Sequence, residues 1–334
     1  MINKRTVETA LNKNRLIACL TGVFAVLVTP VVNAQSYPTK PVRLIVPFAP
    51  GGGTDAFARP LSKALSSSMG QSFVIDNRAG AGGTLGAELT ARSAPDGYTL
   101  LVGAVHHTIA VSMYPRLGYD LQKDLTPVTV LSYVPNVLAL NPQRVAARSY
   151  AAFAEHVKAN PGRLNYGSAG NGTTHHLTVE LWKTLTGSFV THIPYRGAGP
   201  AMQDLLAGQV DFMFDGLGSS IQHIKSGRLV ALALTASKRS FALPDIPTLD
   251  ELGVKGYDAR TWYAIWAPAN TPKEIVVRLQ QETAKALASA ELKAIWENLG
   301  AEPGGQAPDE MGRFVESEIA KWAQVVKDSG AKLD

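Results

Sequence analysis

The chain holds one cysteine in 334 residues, Cys19. It falls in the mostly apolar run 16–32, which follows Lys4, Arg5, Lys13 and Arg15 and leads to Val32-Asn33-Ala34 before Gln35. A basic stretch, a hydrophobic stretch and a small residue at the cut are the pattern of a secretory signal. Thr21, Gly22, Thr29 and Pro30 interrupt the run, which falls short of the roughly 20 apolar residues that span a bilayer, so a retained anchor is not expected. Leu16-Ile17-Ala18-Cys19 resembles a lipoprotein-processing box, but it begins the hydrophobic stretch instead of ending it, which argues against lipid attachment. With residues 1–34 removed, the expected mature chain keeps 300 of the 334 residues and no cysteine, which excludes disulfides and thiolate chemistry.

Charge of one sign is also scarce. The net +5 falls to +2, 28 basic against 26 acidic residues, once the four basic and one acidic residues of the signal are discounted. With no basic run and no basic-aromatic interleaving, nucleic acid is not an expected partner. Loop 50–55 lacks the Gly-Lys-Ser/Thr ending of a nucleotide-binding P-loop. Gly80-Ala81-Gly82-Gly83-Thr84-Leu85-Gly86 misses the dinucleotide fingerprint because its third glycine comes one residue late. The pairs His106-His107 and His175-His176 cannot each chelate a metal, since neighbouring side chains diverge on a helix and oppose on a strand. No H-E-x-x-H, cysteine ligand or carboxylate triad accompanies them. No cofactor and no metal are therefore expected. Ser168 and Ser219 lie in glycine-rich turns without a G-x-S-x-G frame.

What the chain does have is alternation. Short apolar runs at 42–47, 73–76, 99–102, 127–132, 136–140, 164–167, 190–194, 210–214, 229–235 and 262–267 predict strands. Helical periodicity predicts helices at about 54–69, 83–93, 149–159, 173–186, 199–207 and 218–226, and through most of the last sixty-odd residues. Thr271-Pro272-Lys273-Glu274 reads as a capping box with proline at the first helical position. The class is α/β with helix-covered sheets. At 300 residues such a chain usually divides its core. Extended segments 136–141 and 261–268 suggest two crossings between lobes. They give a discontinuous lobe 1 of residues 35–138 and 262–334, a lobe 2 of residues 139–261, and a hinged clamp with a cleft between.

Two junctions in this pattern carry chemistry. In VPFAPGGGTDAFARPLSKAL (46–65) a strand stops, three glycines follow, and Phe57, Leu61, Leu65 and Met69 recur at helical spacing. LNYGSAGNGTTHHLTVE (164–180) repeats the logic, with Thr173 and Thr174 as expected caps before a stripe of Leu177, Leu181 and Leu185. Each places unpaired backbone N–H groups and a positive helix end at one spot, so two such ends facing across a cleft favour an anion without any arginine. Taken singly, each loop is ordinary α/β chain reversal; the pair, one per lobe, points to a site. Asp215, at the end of Phe212-Met213-Phe214, either reaches that cleft or serves as a cap.

The same residues resemble the receptors of tripartite tricarboxylate transporters, the Bug-type periplasmic substrate-binding proteins. The matching stretches run in family order: YPTKPVRLIVPFAPGGGTDAFAR (37–59), VIDNRAGAGGTLGAE (74–88), APDGYTLLVG (94–103), YGSAGNGTTHHLTVELW (166–182), HIPYRGAGPAMQDLLAGQVDFMFD (192–215) and WYAIWAPANTP (262–272). The resemblance implies a type II periplasmic-binding fold, a monomer that closes on a small carboxylate and passes it to membrane components of a transporter. Carried onto this chain, the carboxylate is held by Phe48, Ala49, Gly51, Gly52, Thr54 and Asp55 on one side. On the other stand Ser168, Gly170, Gly172, Thr173 and Thr174, with Asp215 at the far end, and His106 and His175 count among the ligand-binding residues. Pro60 inside the first helix, which would kink it or displace its first turn, and His106, His107, His176 and Gly216, which would line the far end of the pocket, depart from what the family leads one to expect. The departures leave a di- or tricarboxylate or an aromatic acid open as the ligand. The rival reading is a periplasmic serine-type hydrolase using Ser168 or Ser219 with a histidine.

Overall fold

The computed structural model describes residues 37–331; the expected signal at 1–34 lies outside the described residues. Strand β1 (Val42–Val46) is the apolar run after Pro41. It pairs in parallel with β2 (Phe73–Asn77) on one side and β3 (Thr99–Ala104) on the other. Both faces of this parallel unit are covered, which is why Leu44, Ile45 and Val46 are all fully buried instead of alternating. Antiparallel to β3 runs β9 (Arg260–Pro268), and antiparallel to β9 runs the 16-residue β4 (Leu125–Leu140).

β4 is the spine of the fold. Residues 125–135 pair with β9, while residues 136–140 pair with β7 (Phe212–Gly216) and β8 (Val230–Leu234). β5 (Asn165–Ser168) lies between β7 and β6 (Thr191–Pro194), and the short β10 (Glu302–Pro303) flanks the first part of β4. The order is β2-β1-β3-β9-β4-β7-β5-β6, one curled sheet in two halves. The sequence suggests separate strands at 127–132 and 136–140. They are continuous because Pro135, which has no N–H to give, falls where β4 exchanges one set of partners for another. β9 stays in the first half for its whole length. The chain re-enters that half just before β9, where Ala259 donates its N–H to the Thr235 carbonyl.

The helices are α1 (Gly53–Met69), α2 (Thr84–Ala91), α3 (His106–Met113), α4 (Tyr150–Ala159), α5 (Thr174–Thr186), α6 (Ala198–Ala207) and α7 (Leu217–Lys225). Near the C-terminus follow α8 (Lys273–Leu287), α9 (Ala290–Asn298) and α10 (Pro308–Ser329). They cover two faces of the sheet. One core gathers Phe57, Leu61 and Leu65 of α1 with Leu279 of α8 and Trp296 of α9; the other gathers Trp182, Trp262, Trp266 and Trp322. Each core draws on both halves of the sheet, for Val42 and Met213 share the first, and Ile45 and Phe214 the second.

Three local expectations are corrected. α3 has no counterpart in the periodicity, since all of its residues but Val111 and Ser112 are buried and no apolar stripe stands out. α8 begins after Pro272, which is its N-cap and not its first turn; the Thr271 hydroxyl donates backward to the Pro268 carbonyl at 2.7 Å. α1 runs through Pro60 to Met69 and starts at Gly53, so the proline displaces no first turn.

Candidate functional site

α1 and α5 start from glycine loops and present their N-termini to one cavity. Its empty space, counted out to the open solvent at its edge, is about 380 Å³. Of the residues that the resemblance names, Phe48, Gly52, Thr54, Asp55, His106, Thr173, Thr174 and His175 line it. Gly53, Ala104, Ala169, Ala198, Thr261 and Tyr263 line it too and were not anticipated. Ala198 follows the glycine of YRGAGP, a strand-to-helix turn like the other two, and that was the available signal. Nothing local distinguishes Tyr263 within the buried strand β9. No lysine or arginine is among the lining residues.

Six expected site residues act at one remove. Ala49 donates its N–H to the Arg196 carbonyl at 3.2 Å, and Gly51 donates its own to Asp55 Oδ2 at 3.1 Å. Ser168 Oγ is 2.6 Å from His192 Nε2 and accepts the Gly170 N–H at 3.0 Å, which ties down the second loop. Gly170 (φ 120°) and Gly172 (φ 73°) occupy left-handed backbone that this tight loop requires. Asp215 is fully buried behind the wall and reaches the cavity through His175, whose Nε2 is 3.0 Å from Oδ1; Ser219 donates to Oδ2 at 2.7 Å.

Asp55 is an organiser of the first loop. It takes a bidentate pair from Arg59 (Nε to Oδ2 2.7 Å, Nη2 to Oδ1 2.8 Å) and accepts from Asn77 Nδ2 at 3.2 Å. Burial pushes its carboxyl up, but the hydrogen bonds of Arg59, Gly51 and Asn77 and the guanidinium charge outweigh that and hold it below the usual carboxylate range. Thr173 is the N-cap of α5 in position but not in bonding. Its hydroxyl donates to the Gly170 carbonyl at 2.7 Å, leaving the first N–H groups of the helix uncapped by it.

The histidines divide by role. His106 lines the cavity edge-on to Phe48, and burial, then the neighbouring charges of His107 and His175, pushes its imidazole well below the usual range. His107 lies behind it, against Trp266, with Nδ1 3.1 Å from Tyr119 Oη; burial pushes it down to about 3. His176, expected toward the far end of the pocket, instead stacks on His192 with ring centroids 4.3 Å apart and accepts the Gly172 N–H at Nδ1. Gly216 is not among the lining residues either. Burial, and then the Asp215 charge, raises the Tyr263 hydroxyl, which therefore stays a donor. Among the described residues no group of three or more His, Cys, Asp or Glu is placed to hold a metal.

The loops also touch one another. A Cβ on Gly52 would lie 3.1 Å from the Gly199 nitrogen and 3.3 Å from the Ala198 Cβ, and one on Gly82 would meet the Asn171 carbonyl. The two halves of the sheet therefore close over the cavity through their glycine loops.

Mixed α/β layers on a curled sheet, with a cavity at glycine-loop helix starts, define a periplasmic binding protein of the type II fold. The chain belongs to the tripartite tricarboxylate transporter receptor family, whose model matches residues 57–331. It is 40% identical to Protein BugT of Bordetella pertussis over 328 residues, 97% of this chain and 100% of that protein. It superposes on R. palustris Rpa4515 with adipate at a TM-score of 0.86 and 39% identity, covering 89% of this chain and 100% of the other. It is similar also to MatC (Rpa3494) from Rhodopseudomonas palustris with bound malate, with a TM-score of 0.83, 35% identity and coverage of 87% and 100%.

Proposed function

We infer that this receptor captures a small carboxylate in the cavity between the two glycine loops and presents it to the membrane components of its transporter. The observation that carries the reading is the meeting of two helix N-termini at a cavity whose lining holds neither lysine nor arginine. The lining donors for an anion are then backbone N–H groups, the Thr54 and Thr174 hydroxyls and the Tyr263 hydroxyl, with water bridging where the fit is loose. Similar proteins are described with adipate and with malate, both carboxylates.

The receptor works as a monomer in the periplasm after loss of residues 1–34, and intact mass of the exported protein beginning at Gln35 checks the cut. It closes by a hinge between a lobe of residues 35–138 and 262–334 and a lobe of residues 139–261. It is a binder and not a hydrolase. Ser168, next to His192, is fully buried and does not line the cavity, while Ser219 donates to Asp215 in place of a histidine. Neither serine has the nucleophile-to-base arrangement facing a ligand that acyl transfer needs.

Calorimetry with a bound acid and its primary amide tests the capture. Hydrogen bonds to a charged group contribute roughly 1.5–3 kcal/mol each. The amide loses the charge and sets donors against donors, so its affinity should be lower by about two orders of magnitude. An amide that binds as well as the acid sinks the reading, and release of a hydrolysed product sinks the receptor assignment.

A further inference from the structure

His175 is held at one end only. A carboxylate can only accept, so the bond of Asp215 to Nε2 places the imidazole proton there, and the second oxygen of Asp215 is occupied by the Ser219 hydroxyl. In the neutral ring Nδ1 then carries a lone pair. That nitrogen is buried and has no hydrogen-bond partner, although the ring lines the cavity and the residue is only 9% exposed. A buried acceptor left unpaired is costly, and no protein donor reaches it.

The charge around it is equally one-sided. His106, on the same wall, is kept neutral by burial, and its Nε2 is likewise unpartnered. Asp215 stands behind His175, Tyr263 lines the wall from β9, and on α1 the Asp55 charge is matched by Arg59. A second carboxylate beside His175 would meet one buried carboxylate and no lysine or arginine among the lining residues. An uncharged O–H would meet a waiting lone pair.

We propose that His175 is a specificity-determining residue, and that the ligand is a monocarboxylate whose far end bears an uncharged hydroxyl donating to His175 Nδ1. The proposal rests on the carboxylate-capture reading above and adds the chemistry of the ligand's other end.

The test is calorimetry on the mature chain with three acids of equal chain length: the straight monoacid, its ω-hydroxy derivative and the diacid, repeated over several short lengths. At the best length the hydroxy acid should bind at least about tenfold tighter than the other two, the effect of one well-placed hydrogen bond against an unpaired acceptor. His175→Phe should erase the preference of the protein for the hydroxy acid over the monoacid. Equal binding of hydroxy acid and monoacid overturns the proposal and leaves carboxylate capture standing. A diacid that binds tightest overturns it. If no acid binds, capture itself fails and the proposal with it. Should His175→Phe unfold because Asp215 loses its partner, the three acids on the unaltered protein still decide.

Discussion

His107 shows what burial does to a single side chain. Its folded pKa of about 3 lies below the unfolded value of about 6.5, so between these limits the unfolded chain binds a proton that the folded one refuses. The stability tied to this histidine is complete above about pH 6.5 and drains away as pH falls, by up to about 1.4 kcal/mol per pH unit. His106 is shifted in the same direction and adds to the slope. Asp55 behaves oppositely in position: its lowered pKa makes its contribution full above the unfolded value of about 4 and lost only below it, at the acid end of the histidine window. Denaturant midpoints should therefore fall between pH 7 and pH 5, and His107→Gln should flatten that fall measurably. An unaltered slope in the variant would show that the titration responsible lies elsewhere. No sequence pattern distinguishes His106 and His175, which line the cavity, from His107 and His176, which do not. Adjacent residues on a helix point about 100° apart, and only the packing around each helix decides which direction is the cavity.

At the scale of elements, the two glycine loops look alike in sequence and differ in what they require. Gly52 has φ −90°, which any residue adopts, and the space its side chain would take belongs to Ala198 and Gly199 on the facing loop. Gly172 has φ 73° and would press a side chain onto Tyr114 and Met113. Gly52→Val should leave stability near that of the parent while binding falls by at least about two orders of magnitude, because the loops cannot meet. Gly172→Val should lose about 1–3 kcal/mol of stability in addition, the cost of left-handed backbone for a branched residue. Thermal or denaturant unfolding beside calorimetry separates the two. Similar stability losses in both variants would refute the distinction, and normal binding by Gly52→Val would refute closure through this contact. The strand-glycine-helix junctions themselves were readable, since apolar runs, glycines and helical periodicity are local. The role of the Thr173 hydroxyl was not readable, because its bond to Gly170 depends on how the loop folds back.

For the whole molecule, the contact between loops poses an entry problem. Ala49 donates to Arg196 and Gly52 abuts Gly199 beside the cavity. Entry by a hinge requires these contacts to part. The sheet offers the place, because its halves are joined where β4 exchanges partners at Pro135–Asn136 and where the chain returns beside Ala259. Small-angle scattering should give a larger radius of gyration for ligand-free protein than for protein saturated with an acid it binds. Equal radii at demonstrated saturation would mean a rigid pocket with a side entrance.

The sequence by itself determined the α/β class, most strands and helices, the two glycine-loop helix starts and the family, since each rests on short-range pattern or on motifs in order. Composition likewise set aside disulfides and thiolate chemistry for the chain after residue 34. Only the tertiary structure decided that β4 is one strand serving both halves, that Tyr263, Ala198 and Thr261 complete the cavity, and that Asp215 acts through His175. These pairings join residues far apart along the chain: Asn136 reaches Thr261 and His175 reaches Asp215. Their partners are chosen by how helices pack across the curled sheet, a choice that no local periodicity encodes.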